Sequence, residues 1–118
     1  MAASIDPQVR LDLANETVRH YGGIKQDFPQ KMARRLKRKF HNNLDAVTIL
    51  TLATYFKEIY GFGASIIRNF ITTKGEYSSL GDIKLDDFVT ALANKYPDED
   101  REIIKAICDW LIYYEYLR

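Results

Sequence analysis

The residues from Leu44 to Tyr60, LDAVTILTLATYFKEIY, restrict the fold more than any other part of the chain. Apolar side chains fall on nearly every side of a helix drawn through this segment, and no charged residue lies between Asp45 and Lys57. A helix with this pattern is stable in water when other elements surround it. We therefore predict a helical core that is centred on residues 46–56.

The other segments also carry apolar residues at helical spacing, and none alternates apolar and polar residues for long enough to form a strand. Turn residues divide the chain into helices at Gly22-Gly23, Gly61-Phe62-Gly63 and Pro97. A length of 118 residues is typical of one domain. We predict an all-α fold, a compact single-domain bundle of five or six helices covering residues 1–118.

Several helix boundaries and buried positions follow from the same patterns. Asp6 with Pro7 is expected to begin the first helix, Asn42 or Asn43 to cap the third, and the Gly61-Phe62-Gly63 joint to end it before a shorter helix. A charge at Leu50 should cost several kcal/mol. The predicted buried residues are Leu50, Ala53, Phe56, Ile67, Phe70, Phe88, Leu92, Ile107 and Leu111.

The segment KMARRLKRKF, from Lys31 to Phe40, holds six of the seventeen basic residues and no acidic one. On a helix, Met32, Leu36 and Phe40 share one side. The opposite side carries all six cations and is the candidate site for nucleic acid or a protein partner: Lys31, Arg34, Arg35, Lys37, Arg38 and Lys39.

Three interpretations of this basic helix remain open. It can bind the phosphates of DNA or RNA, bind an acidic surface of a host protein, or form a solvated face whose charges pair within the protein. Aromatic residues do not interleave with the cations, which favours contact with a nucleic-acid backbone over stacking on bases. The formal net charge is only +1, whereas residues 76–118 hold ten acidic and five basic residues, so the basic segment can also pair with the acidic part of a second copy.

Residues capable of catalysis or metal binding do not form a recognisable motif. Cys108 is the only cysteine and lies at an apolar position of the last helix, where we expect it to be buried. The two histidines, His20 and His41, lie outside any metal-binding frame, and the Gly61-Phe62-Gly63 joint lacks the remainder of a phosphate loop. We predict that the protein is not an enzyme and has no catalytic residue, metal site or cofactor.

The last helix carries more aromatic surface than a single packing face requires. Such residues favour interfaces, so we expect this helix to contact a second copy of the chain or another protein. The N-terminal residues lack the apolar core of a signal peptide, and no run of 18 apolar residues occurs. These features predict a cytoplasmic protein without a membrane partner. The predicted interface residues are Trp110, Tyr113, Tyr114 and Tyr116.

The segment LATYFKEIYGFGASIIRNF, from Leu52 to Phe70, resembles a segment of small helical proteins encoded by phages and prophages of Gram-positive bacteria. The shared features are an aromatic residue followed by Gly61-Phe62-Gly63, and an arginine, Arg68, in the helix that follows. Ala64 and Ser65 stand where those proteins often have lysines. The resemblance implies a phage-related origin, in which case the protein acts in the cytoplasm of the host cell. Together with the basic helix, this origin predicts a phage-related accessory or regulatory protein that binds nucleic acid, or a phage-encoded inhibitor or adaptor, for example of the anti-defence type, that binds a host protein.

Overall fold

The computed structural model describes residues 5–19, 26–70 and 84–117. Within these ranges the chain is helical and contains no strand, so the predicted all-α fold is confirmed. A 3-10 turn at Ile67–Phe70 follows the third helix, and a π-helical turn at Tyr113–Leu117 follows the fifth. The described residues form five α-helices: α1 (Pro7–Arg19), α2 (Phe28–Phe40), α3 (Ala46–Ile66), α4 (Leu85–Lys95) and α5 (Arg101–Ile112).

Aspartate side chains cap the first turns of three helices. Asp6 Oδ1 accepts a hydrogen bond from the backbone N–H of Gln8 at 2.8 Å, as expected for the start of α1. The backbone N–H of Thr48 donates to Asp45 Oδ1 at 2.7 Å, and Asp100 Oδ1 accepts from Glu102 in α5. The prediction that Asn42 or Asn43 caps α3 is therefore wrong. A capping side chain must adjoin the first turn, and α3 begins only at Ala46.

The Gly61-Phe62-Gly63 joint lies inside α3 and does not end it. A Cβ atom at Gly63 would collide with Leu111 Cδ1 and lie 3.3 Å from Leu92 Cδ2, whereas a Cβ atom at Gly61 would meet nothing within 4 Å. Gly63 thus allows a close approach of buried leucines rather than a turn. The predicted break is wrong, and the helix predicted to follow it is reduced to the 3-10 turn as far as the structure describes it.

The chain divides into two compact units, Met1–Lys57 and Glu58–Arg118. In the first unit Arg10 of α1 lies over the rings of Tyr55 and Phe56, with its guanidinium carbon 5.9 Å and 5.3 Å from the ring centres. The buried apolar residues of this unit lie at helical spacing on α1, α2 and the first part of α3: Val9, Leu13, Ala14, Val18, Met32, Leu36, Ile49, Ala53 and Phe56.

The second unit contains the end of α3, the 3-10 turn, α4 and α5. Phe70 packs on Phe88 with 5.5 Å between ring centres, and Phe62 meets Tyr96 edge to face at 6.1 Å. That the whole chain forms one domain stays a prediction. The buried apolar residues here are Ile59, Ile67, Phe88, Val89, Leu92, Ile103, Ile104, Ile107, Cys108, Leu111 and Ile112.

Most of the predicted buried residues are buried, but Leu50 and Phe70 are not. Leu50 is 45% exposed and Phe70 is half-buried, so their predicted burial is wrong, and the burial that would make a charge at Leu50 cost several kcal/mol is absent. The buried side of α3 runs through Ile49 and Ala53, and Leu50 lies on the outer side with Val47, which is 76% exposed. The first half of α3 is therefore amphipathic rather than surrounded. Predicted burial is confirmed for Ala53, Phe56, Ile67, Phe88, Leu92, Ile107 and Leu111.

Two neighbouring residues of α3 provide a test of this orientation. Ile49→Ala should lower the free energy of unfolding by about 2–5 kcal/mol because it empties a buried position, whereas Leu50→Ala should lower it by less than about 1 kcal/mol. Urea unfolding followed by circular dichroism measures both. Equal losses for the two variants would contradict the orientation of α3.

Replacing each of the two glycines of α3 with alanine should change the free energy of unfolding in opposite directions. Gly61→Ala should raise the free energy of unfolding by about 0.5–1 kcal/mol, because its Cβ enters open space and alanine favours the helix. Gly63→Ala should lower it, because overpacking against the buried Leu111 costs about 1–3 kcal/mol and outweighs that gain. Thermal unfolding of the two variants gives the comparison. Stabilisation by Gly63→Ala would show that α3 does not pack closely here.

Candidate functional site

Helix α2 places its cations opposite a buried side. Pro29, Met32 and Leu36 are buried, and Pro29 lies in the first turn, where a missing N–H is tolerated. The helix ends at His41, which has a left-handed backbone with φ of 53° and donates its N–H to the carbonyl of Lys37 at 3.0 Å. The basic residues of the last turn lie at the negative end of the helix dipole, which stabilises them.

Asp12 of α1 binds two of the six cations. Its carboxylate accepts hydrogen bonds from Arg35 Nε at 2.8 Å and Arg35 Nη2 at 3.0 Å, and Lys39 Nζ lies 3.3 Å from Oδ1. The Asp12 side chain is only 12% exposed. A bidentate guanidinium-carboxylate pair is directional, so it orients α2 against α1 as well as neutralising charge. Of the three interpretations of the basic helix, internal pairing therefore describes Arg35 and Lys39.

The environment of Asp12 favours its charged form. Burial opposes ionisation, but the hydrogen bonds and positive charges of Arg35 and Lys39 outweigh it, so the pKa of Asp12 is lowered from its ordinary value. The hydrogen bond to Asp12 likewise raises the pKa of Arg35. Asp12 and Arg35 are therefore both charged at neutral pH.

Lys31, at the start of α2, has a different partner. Its Nζ atom lies 3.1 Å from Asp27 Oδ2, and the two side chains are 65% and 56% exposed. An ion pair this open to water contributes little to stability. Lys31 thus has a weak local ion-pair partner in the turn that precedes α2.

The other three predicted site residues form an open group, which we call the cationic triad: Arg34, Lys37 and Arg38. All three are exposed, and no hydrogen bond or ion pair joins them to any other residue that the structure describes. Their spacing of three and four residues makes them neighbours on the helix surface. They lie about a third of a turn away from Arg35 and Lys39. The structure therefore divides the predicted basic face into a paired side and an open side.

Three of the four predicted interface residues form an aromatic cluster at the end of α5. The rings of Trp110 and Tyr114 stack at 5.6 Å and 19°, and Tyr113 meets them edge to face at 6.2 Å and 5.2 Å. Tyr113 is 53% exposed, whereas Trp110 and Tyr114 are half-buried. The side chain of Tyr116 lies outside the described part of the structure. Of the described aromatic residues of this cluster, Tyr113 offers the most surface to a partner.

Cys108 is buried, as predicted. Burial, with a smaller effect of Asp109, raises the pKa of its thiol to about 12, so the thiol stays protonated at neutral pH. His41 is exposed at the end of α2, and His20 lies outside the described residues. Within residues 5–19, 26–70 and 84–117, no three His, Cys, Asp or Glu side chains come together as a metal site. None of the helices described is long and apolar enough to cross a membrane.

The importance of Asp12 was missed when the sequence was considered alone. The sequence contains only a weak indication of this pairing. Arg35 and Lys39 are four residues apart, so one carboxylate on a neighbouring helix can reach both. Nothing local indicates that this carboxylate belongs to α1, because the pairing joins residues far apart in the chain.

No family model, curated protein or solved structure matches this chain. The function is therefore inferred from the charges and contacts of its own residues.

Asp12→Asn should lower the free energy of unfolding at neutral pH by about 1–2 kcal/mol, because charged hydrogen bonds to Arg35 and Lys39 are weakened. The pKa of Asp12 is lowered in the folded state, so this stabilisation is present above the ordinary aspartate pKa of about 4 and is lost as the pH falls below it. Urea unfolding of both proteins between pH 7 and about 3 measures the difference. A difference that grows on acidification would contradict the ion pair.

Proposed function

We propose that the protein binds the phosphate backbone of DNA or RNA through the cationic triad, with little sequence preference and without catalysing a reaction. The observation that carries this proposal is the division of α2. Carboxylates of the protein neutralise Arg35, Lys39 and Lys31, whereas Arg34, Lys37 and Arg38 have no such partner in the described part of the chain.

Repulsion between the three cations of the triad favours the binding of an external anion. Like charges three and four residues apart on a helix destabilise it by about 0.2–0.5 kcal/mol per pair. The helix dipole offsets part of this repulsion at Lys37 and Arg38. An anion that binds between the three side chains removes the remaining repulsion, so the folded protein gains stability when it binds phosphate groups.

The chemistry of the triad fits phosphates in particular. Two of its members are arginines, whose planar guanidinium groups form bidentate hydrogen bonds with phosphate oxygens, and the lysine adds a mobile point charge. Phosphate contacts position a protein on a nucleic acid but carry no sequence information. Binding is therefore weak, dependent on salt and similar for different sequences.

We propose that this activity belongs to a phage-related accessory or regulatory protein, and the resemblance of the Leu52–Phe70 segment to phage and prophage proteins supports this. The proposed phage-related origin rests on Tyr60, Gly61-Phe62-Gly63 and Arg68 of this segment. An acidic surface of a host protein offers carboxylates in place of phosphates, and we treat it as the competing outcome of the experiment.

The test is a fluorescence anisotropy titration of labelled duplex and single-stranded DNA and RNA at about 50 mM salt, where phosphate contacts are strong. The wild-type protein should bind in the micromolar range. The variant Arg34→Gln/Lys37→Gln/Arg38→Gln should bind at least tenfold more weakly, because each of the three phosphate interactions that it removes is worth about 0.5 kcal/mol or more.

A matched control variant removes the same number of positive charges from other parts of the protein. Arg68→Gln/Lys84→Gln/Lys95→Gln also removes three exposed cations, all outside α2. This control should bind nearly as well as the wild type if the triad is the site. Equally weakened binding by both variants would mean that only net charge matters. If the wild type binds no nucleic acid, the proposal is wrong, and capture of a host protein that depends on the triad would favour the inhibitor.

A further inference from the structure

A row of exposed residues on α5 has a charge pattern that is complementary to itself. Arg101, Lys105, Asp109 and Tyr113 are all exposed, and each is four residues from the next. Tyr113 keeps helical backbone angles, with φ of −61° and ψ of −50°, so the row continues past the end of α5. The order along the helix is two cations, then an anion, then an aromatic ring.

We propose that this row is the contact surface between two copies of the chain, with the two α5 helices antiparallel about a two-fold axis level with Ile107. Such an axis pairs each residue with the one equally far on the other side of this level. Lys105 of each copy then meets Asp109 of the other. Arg101 of each copy meets Tyr113 of the other.

Each of these pairings is favourable. The ammonium group of Lys105 and the carboxylate of Asp109 form an ion pair, and the guanidinium group of Arg101 lies on the ring of Tyr113 in a cation-π contact. Because the axis is two-fold, both contacts occur twice. A parallel arrangement in register would instead place Lys105 against Lys105 and Asp109 against Asp109.

The described structure leaves the required groups available. Lys105 and Asp109 are one turn apart on α5, yet no ion pair joins them to each other or to another described residue. Arg101 donates from Nη2 to Thr90 Oγ1 at 3.3 Å and is still exposed, and no other hydrogen bond or ion pair joins its side chain to a described residue. Tyr113 contacts Trp110 and Tyr114 and is nevertheless 53% exposed.

The geometry of helix packing permits the contact. Rows of residues four apart lie along each other when two helices cross at about 50°, which is a common packing angle. The interface is small, so the dimer should be weak, in the micromolar range, and should weaken with salt. This interface centres on the charged row, whereas the aromatic cluster alone was predicted to mediate assembly.

Sedimentation velocity of the protein alone at low salt tests the inference independently of nucleic-acid binding. The wild type should pass from monomer to dimer as its concentration rises. Lys105→Asp places two carboxylates opposite each other at both pairs, and Asp109→Lys places two ammonium groups there. Each single variant should therefore raise the Kd at least about tenfold.

The decisive part of the sedimentation experiment is a mixture of the two single variants. In a heterodimer, the new Asp at position 105 meets the new Lys at position 109, and the original Asp109 meets the original Lys105, so an equimolar mixture should associate nearly as well as the wild type. The double variant Lys105→Asp/Asp109→Lys should also regain the dimer. Arg68→Asp, an exposed charge change outside α5, should leave the Kd unchanged. A monomeric wild type, or a mixture that stays monomeric, would overturn the inference.

Discussion

The bidentate ion pair between Asp12 and Arg35 determines which cations of α2 are paired within the protein and which remain exposed. It joins α1 to α2, and Lys39 shares the same carboxylate. With α2 held in this orientation, Met32 and Leu36 are buried and the cationic triad is exposed. A single acidic residue on a neighbouring helix thus converts a uniformly basic segment into a helix with a structural side and an open side.

Local patterns predicted the helices well, because helical spacing is a property of each segment by itself. The buried stripes of α4 and α5 and the buried Cys108 follow from such spacing, and the Asp6 cap follows from the equally local pairing of a capping residue with Pro7. One error is local, because α3 begins a few residues later than predicted. Others concern contacts between distant residues. Glycine is required at position 63 of the helix because Leu111 and Leu92 occupy the space where a Cβ atom would lie, and Leu50 is exposed because α3 is covered on one side only along its first half. Asp12 was missed for the same reason.

The two proposed surfaces lie in different units of the chain and share a physical basis. The cationic triad of the first unit and the charged row on α5 of the second both contain exposed charges that the described structure does not neutralise. A group of one sign can bind a partner of the opposite sign, such as phosphate. A row that carries both signs in antisymmetric order can pair with a copy of itself.

The salt dependence of binding to duplex DNA tests the division of α2 most directly, because the slope of log K against log salt counts the phosphates that the protein neutralises. If only the triad is available, the slope should be about −2.7, whereas all six cations of α2 would give about −5.4. The measurement uses short duplexes and dilute protein, so that one monomer binds at a time. A slope near the first value supports the account. A slope near the second value would show that the ion pairs of Asp12 and Asp27 break when nucleic acid binds. That result would contradict the account.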